Sequence, residues 1–439
     1  MKKILCLVLA TLLLLASAAL AESPFTAEKP GKLTVAVFDR SNMDTSYGDS
    51  TNNYWSNWVK EQVLADLNIE VTFMALARSG SDSVLPVWMA AGNCPDIFFT
   101  YSSSILYDYA EQGGLYDLTD LIHQYAPTLT EALESTLSFG FVSGGQYAIP
   151  AKRGSVGHVA AFIRKDWCDR IGYELSYDEA GNAWISYEDL ETVMAAWKEQ
   201  GICEYPMAML QEASTAEAES MDPFTHAFID YSAITDQDIA TLPDILWPGM
   251  KDGYAWLNKL YNNGLIQPDW AIYGDETEWK GWISNGGVGV WSHAYWRELG
   301  KNESVEALYA NDPGAEVISV NVTNADGVAA MVDRYAPYGM YIMVPATSKN
   351  ATEAVLYLDW LCEYDNFEYL QYGIESEHYT RNEDGTHNTT TAAADARKRI
   401  SVNDLVLPFN GNPQREIAIG ELTIAVNDAM KPIYEGAYY

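Results

Sequence analysis

The sequence predicts an α/β protein built as two lobes. Three observations carry this. Strand-like and helix-like patterns alternate from Leu33 onward, and the chain is 439 residues long, more than one ordinary core accommodates. Apolar residues make up 48% and aromatics 13%, so the strong acidity does not signal disorder.

The first residues read as a leader. Lys2 and Lys3 form a positive region, Ile4 to Leu15 an apolar one, and Ala19-Leu20-Ala21 a small-x-small cleavage site. Residues 1–21 are therefore expected to be a secretory signal peptide, with the mature chain starting at Glu22 and the product exported, periplasmic or extracellular. Cys6 lacks the small-residue lead-in of a lipid-modified cysteine, and no later stretch is apolar enough to span a bilayer.

Lys32 to Phe38 reads as a buried first strand, followed by a polar loop from Asp39 to Asn53. Trp55, Val59, Val63 and Leu67 recur at helical spacing within Tyr54 to Leu67, and Ile69 to Met74 alternates into a second strand. Leu85 to Ala91 is helical and stops at Gly92; Asp96 to Thr100 is a third strand ending at Tyr101. This βαβ order predicts a mainly parallel sheet, with ligand expected beyond the carboxyl ends of its strands. Asp39, Arg40, Asn42 and Asp44 form a polar cluster there, either ligand-binding or loop-capping.

Gly144 to Pro150 reads as a turn and a strand leaving the first lobe. Gly157 to Ile163 is then a strand, Asp166 to Gly172 a short helix, Tyr177 to Trp184 a hairpin-like insertion, and Tyr187 to Gln200 an amphipathic helix. Ser214 to Pro248 is irregular. Helices follow at Trp256 to Asn263 and Asp275 to Ser284. A Gly/Val run from Asn285 reads as a buried strand that stops in Trp291, His293, Tyr295 and Trp296. Pro337 to Val344 is a strand, Ala351 to Cys362 a helix, Asn382 to Ala394 a polar surface loop, and Pro413 to Met430 a helix.

The formal charge is −35, and removing Lys2 and Lys3 takes it to −37. Such a surface repels nucleic acid and suits a neutral or cationic small ligand. The four remaining cysteines, Cys94, Cys168, Cys203 and Cys362, show no zinc-ligand spacing; they either form one or two disulfides or stay as buried thiols. The sequence has no GxSxG, no GxxxxGK[ST] and no HExxH, and its histidines are scattered. No catalytic set is expected; with so many carboxylates, a hidden glycosidase pair stands as the enzymatic alternative.

The aromatic inventory points instead to binding. The chain carries 14 Trp and 29 Tyr, several at strand ends, where flat amphipathic rings either grip a sugar or fill a core. Tyr101, Trp291, Tyr295, Trp296 and Tyr338 are the candidates of this kind, with Tyr295 and Trp296 favoured and Trp291 partly core. Trp55, Trp58, Trp256 and Trp360 read as core. Arg153, just beyond the crossover at Pro150, either donates paired hydrogen bonds to ligand or makes an interlobe salt bridge.

Four stretches also carry a resemblance: Trp88 to Ile97 (WMAAGNCPDI), Glu111 to Leu118 (EQGGLYDL), Leu257 to Pro268 (LNKLYNNGLIQP) running on to Ile283 to Gly289, and Tyr372 to Tyr379 with Asn382 to Gly385. In their order and spacing the chain resembles family 1 extracellular solute-binding proteins of ABC transporters, in the long Firmicutes-type branch linked to oligosaccharide uptake. The resemblance implies a type II periplasmic-binding-protein-like fold. Each lobe would be a mainly parallel sheet flanked by helices, with hinge strands joining the lobes. Residues 32–150 plus about 338–375 would form the N-terminal lobe, and 151–337 plus about 376–439 the C-terminal lobe. It further implies a monomer that captures an oligosaccharide in an interlobe cleft and delivers it to permease subunits, with no cofactor. Asn42, Asp44, Tyr101, Arg153, Trp291, Tyr295, Trp296 and Tyr338 would line the site. The alternatives are a secreted carbohydrate-active enzyme, or the same fold with a peptide or cationic cargo. Some relatives hold calcium just after the helix matching Tyr187 to Gln200; here Glu199 to Tyr205 (EQGICEY) lacks alternating oxygen ligands, and no metal is expected.

Overall fold

The computed structural model describes residues 23–41, 46, 48–153, 159–179, 181–210, 220–272, 277–294, 304–324, 326–328, 330, 336–381, 387–389, 405 and 407–409. The leader, Asn42, Asp44, Tyr295, Trp296, most of the polar loop after Asn382 and the helix expected at 413–430 lie outside the described residues.

The strands, in chain order, are β1 (Gly31–Asp39), β2 (Ile69–Ala77), β3 (Phe98–Thr100), β4 (Phe141–Val142), β5 (Gly145–Gln146), β6 (Ile149–Lys152), β7 (Val159–Arg164), β8 (Ser176–Tyr177), β9 (Ala183–Ser186), β10 (Val290–Ala294), β11 (Val317–Thr323), β12 (Tyr338–Met343), β13 (Tyr379–Arg381) and β14 (His387–Thr389). Contacts divide the chain into two units, Met1–Gly154 with Pro337–Asn412, and Ser155–Ala336 with Pro413–Tyr439.

In the first unit β1 and β2 run parallel and in register, joined by the helix Tyr54–Leu67. That helix starts where Asn53 and Ser56 cap each other's backbone and ends at Asn68 in the left-handed conformation. A bridge from Val35 to Ile97 brings β3 alongside β1, also parallel, and β12 lies antiparallel between β3 and β6. Beneath them the helix Ala351–Cys362 is buried on almost every side, Val355, Leu358 and Leu361 being only part of its apolar surface. Tyr379, Leu405 and Leu407 also pack into this core, so the described residues after 376 belong to the first unit and not to the second.

The second unit is a five-stranded sheet, β10-β7-β11-β9-β8. Every residue of β7 is buried, with Ala161 and Ile163 in the core on one face and Ala160 and Phe162 in the core on the other. The sheets are mixed, not mainly parallel: β10 and β11 both run antiparallel to β7, β8 to β9, and β12 to both of its neighbours. A helical crossover enforces parallel pairing only between strands it directly connects. β12 enters from the other unit, and β10 and β11 both pair with β7, from which several other elements separate them in the chain, so the constraint does not reach them.

The strand expected over the glycines of Asn285 to Gly289 instead begins where they end, at Val290. Gly289 is needed for packing: a Cβ there would lie 2.5 Å from Trp197 and 2.7 Å from Trp167. The region from Ser220 to Pro248 is a chain of short turns folded against the helix Met250–Asn262. All four cysteines are free thiols, and burial pushes Cys94, Cys168 and Cys203 up to about 12. Among the described residues no helix is long and apolar enough to cross a membrane.

Candidate functional site

Because β1, β2 and β3 are parallel, their carboxyl ends converge, and the residues that follow them meet. Arg40 follows β1, Arg78 follows β2 and Tyr101 follows β3. The Arg78 amide donates to the Asp39 carbonyl at 2.9 Å, closing the ladder at its last rung. Phe38, the penultimate residue of β1, is buried and forms the floor, its ring edge-on to Phe99 at 4.7 Å. The exposed ring of Tyr101 lies parallel to that of Phe38, centroids 6.3 Å apart and planes within 2°. The Arg78 guanidinium sits 5.1 Å from the Phe38 ring and 4.9 Å from the Tyr101 ring, and that of Arg40 lies 5.5 Å over Phe38.

The surroundings hold this group in shape. Ser41 takes a left-handed backbone with its amide on Asp39 Oδ1 at 2.9 Å, which turns the loop away from β1. Thr100 Oγ1 donates to Asp82 Oδ1 at 2.7 Å and accepts from the Ser102 amide, fixing the turn in which Tyr101 sits. A guanidinium stacked on rings keeps its edge donors for a planar partner, and Tyr101 adds an apolar face with a hydroxyl at its rim. Together they suit vicinal hydroxyls or a carboxylate on a sugar ring.

Two further candidates lie at the strands where the chain leaves and re-enters this unit. The Arg153 amide donates to the Pro337 carbonyl at 2.8 Å, setting these strands side by side. Tyr338 opens β12 opposite Lys152, next to an irregularity in the pairing that runs to Tyr341. Its ring packs on Phe139 at 4.4 Å and on Tyr341 at 5.5 Å; burial, then the Tyr338 hydroxyl, pushes Tyr341 up. Tyr338 is half-buried and keeps a face open.

Trp291 is a core residue, contrary to expectation. It has no exposed surface, lies opposite Phe162 on β7 and stacks on that ring at 5.7 Å, among Trp279, Ile283 and Leu308. Strand β10 carries it inward, and a side chain without accessible surface offers no face to a ligand. His293 is buried on the same face, 4.8 Å from the Trp279 ring. Arg78 is not among the residues expected from sequence, where only the segments after β1 and β3 stand out as strand-end candidates. The alternation ends at Met74, and only the continuation of β2 to Ala77 brings Arg78 to its carboxyl end.

In the segment Glu199 to Tyr205 the chain leaves its helix through Gln200 and a left-handed Gly201. The ammonium of Lys198 donates there to the Gly264 carbonyl at 2.5 Å and stands 5.4 Å over the Tyr205 ring.

No family model matches the chain. A curated protein of Niallia circulans, described as an uncharacterized protein in the butB 5' region, is 29% identical over 125 residues, which is 28% of this chain. The match spans 47% of that protein, about half its length. Among solved structures, an extracellular solute-binding protein from Bifidobacterium longum subsp. infantis aligns with a TM-score of 0.69 at 17% identity, covering 94% of this chain and 83% of its own. The S. pneumoniae ABC-transporter substrate-binding protein FusA, in complex with kestose, aligns at 0.64 with 14% identity, covering 93% and 83%. The alginate-binding protein AlgQ2 without calcium ion aligns at 0.63 with 17% identity, covering 94% and 85%. The chain therefore has the α/β, two-lobed periplasmic-binding-protein-like fold of these binding proteins.

Proposed function

We propose that this chain is an exported, non-enzymatic solute-binding protein that captures an oligosaccharide and delivers it to the permease of an ABC transporter. The observation that carries the reading is the platform of Arg78, Arg40, Tyr101 and Phe38 at the carboxyl ends of three parallel strands, the place where open α/β sheets take their ligands. The fold supports it: FusA holds kestose and AlgQ2 is described as alginate-binding. Two arginines in one patch disfavour a cationic cargo and suit hydroxyl-rich or carboxylate-bearing sugars, despite the acidity of the whole chain. Tyr101, Arg153 and Tyr338 are the proposed contacts of the first unit, with Asn42 and Asp44, which follow Arg40 in sequence. Tyr295 and Trp296 are those of the second.

A thermal-shift screen over neutral and acidic oligosaccharides, with product analysis of each mixture, tests this. A stabiliser recovered intact is the expected result. Hydrolysis of the stabilising glycan, or melting unmoved by every glycan, overturns it.

A further inference from the structure

We propose that Asp222, His226 and Asp244 of the second unit form a binding site for a zinc-type divalent transition-metal cation. Asp222 and His226 stand four residues apart on consecutive helical turns, Asp222–Thr225 and His226–Phe228, so both side chains leave the same face. Asp244 opens a separate turn, Asp244–Leu246, that folds back onto them.

The three donor atoms lie within 4.8 Å of one another. His226 Nε2 is 3.6 Å from Asp222 Oδ1 and 3.3 Å from Asp244 Oδ2. Charge-assisted hydrogen bonds between such groups close to about 2.7–2.9 Å. A tetrahedral ion with bonds of about 2.0–2.1 Å instead holds its ligand atoms about 3.3 Å apart. Both His226 separations fall near that spacing, the one to Asp244 being a long hydrogen bond.

Burial points the same way. The side chains of Asp222 and His226 are 7% and 4% exposed, whereas that of Asp244 is 39% exposed. Two ligands are sunk in protein and the third leaves one direction open, where water would complete the shell. Buried carboxylates are costly unless paired or bound to metal. A dication would balance the buried carboxylate of Asp222 together with the more exposed one of Asp244.

The frame is fixed from behind by the helix Met250–Asn262. A Cβ on Gly249 would fall 1.9 Å from the Phe228 carbonyl oxygen, and one on Gly253 would fall 2.9 Å from that of Thr225. This close approach sets the turn carrying Asp222 and His226, and the Asp230 amide donating to the Pro248 carbonyl at 3.0 Å ties its far end. One imidazole with two carboxylates favours zinc-type ions over calcium or magnesium, which take oxygen-only shells.

The test uses the mature chain freed of metal by chelation and titrated with Zn2+ by calorimetry and thermal melting. One saturable equivalent is expected, with the melting temperature raised by about 5–10 °C at a hundredfold excess over Kd and no matching rise with Ca2+. His226→Gln and Asp244→Asn are both expected to abolish the shift. Asp244 is the more exposed, so Asp244→Asn keeps the test readable if the buried variant does not fold. Absence of saturable binding, or Zn2+ binding unchanged in Asp244→Asn, overturns the proposal and leaves the trio as an ion-pair network. Neither outcome touches the glycan reading, which rests on the other unit.

Discussion

Arg78 rests its guanidinium against two rings at once, which removes much of the freedom an exposed arginine would lose on binding. Arg78→Ala is expected to weaken glycan binding at least tenfold and to move the melting temperature little, because the side chain is exposed; calorimetry beside a melt separates the two. Trp291 behaves oppositely. It is enclosed in a core that also holds Trp279, Phe162 and Leu308, so Trp291→Ala should cost about 3–5 kcal/mol of stability, read by denaturant unfolding. A Trp291→Ala chain that unfolds like wild type but no longer binds glycan would restore Trp291 to the site. At this scale the sequence was only partly legible. A ring beside a strand reads the same whether the strand turns it inward or out, and only the pairing of β10 with β7, Trp291 opposite Phe162, decides.

The consecutive helices Ala351–Cys362 and Tyr364–Tyr372 meet at a group of acids. Burial pushes Asp359 up to about 6, against the Leu129 amide that donates to it at 2.7 Å. Burial, then the charges of Asp359, Asp66 and Asp365, pushes Glu363 up to about 7. Both values lie above those of free carboxyls, about 3.9 and 4.3, so the native state holds more protons than the unfolded one near neutrality. Their stabilisation is complete below those ordinary values and is lost as pH rises through about 6 and about 7. The melting temperature should therefore fall between about pH 4 and pH 7, and Glu363→Gln should flatten the upper half of that fall; a melt that is flat or rises over this range contradicts the assignment. Helices such as Tyr54–Leu67 and Ala351–Cys362 were legible to the residue, since apolar spacing and caps are local. Strand direction was not, because β12 finds β3 and β6 across far more of the chain than any periodicity spans.

On the scale of the molecule, each unit has its own sheet and core, and the chain passes from the first to the second and back. The two-unit α/β plan was legible in chain length and in the alternation of patterns. The Asp222–His226–Asp244 trio was not, since Asp244 reaches its partners only through the fold of a segment without periodicity. The four free thiols carry a prediction here too. Denatured, the mature chain should give four reactive thiols with no reduction step, whereas the native chain should react slowly, burial holding Cys94, Cys168 and Cys203 near 12. A count below four without reductant would reveal a disulfide.

The central claim is that a glycan binds on the strand-end platform of the first unit. Calorimetric titration of the mature chain and of its Arg78→Ala and Tyr101→Ala variants, with the glycan that most raises the melting temperature, tests it most directly. The account predicts one site per chain, with affinity falling at least tenfold in each variant while their melting temperatures stay near wild type. Equal affinity in all three proteins would contradict it.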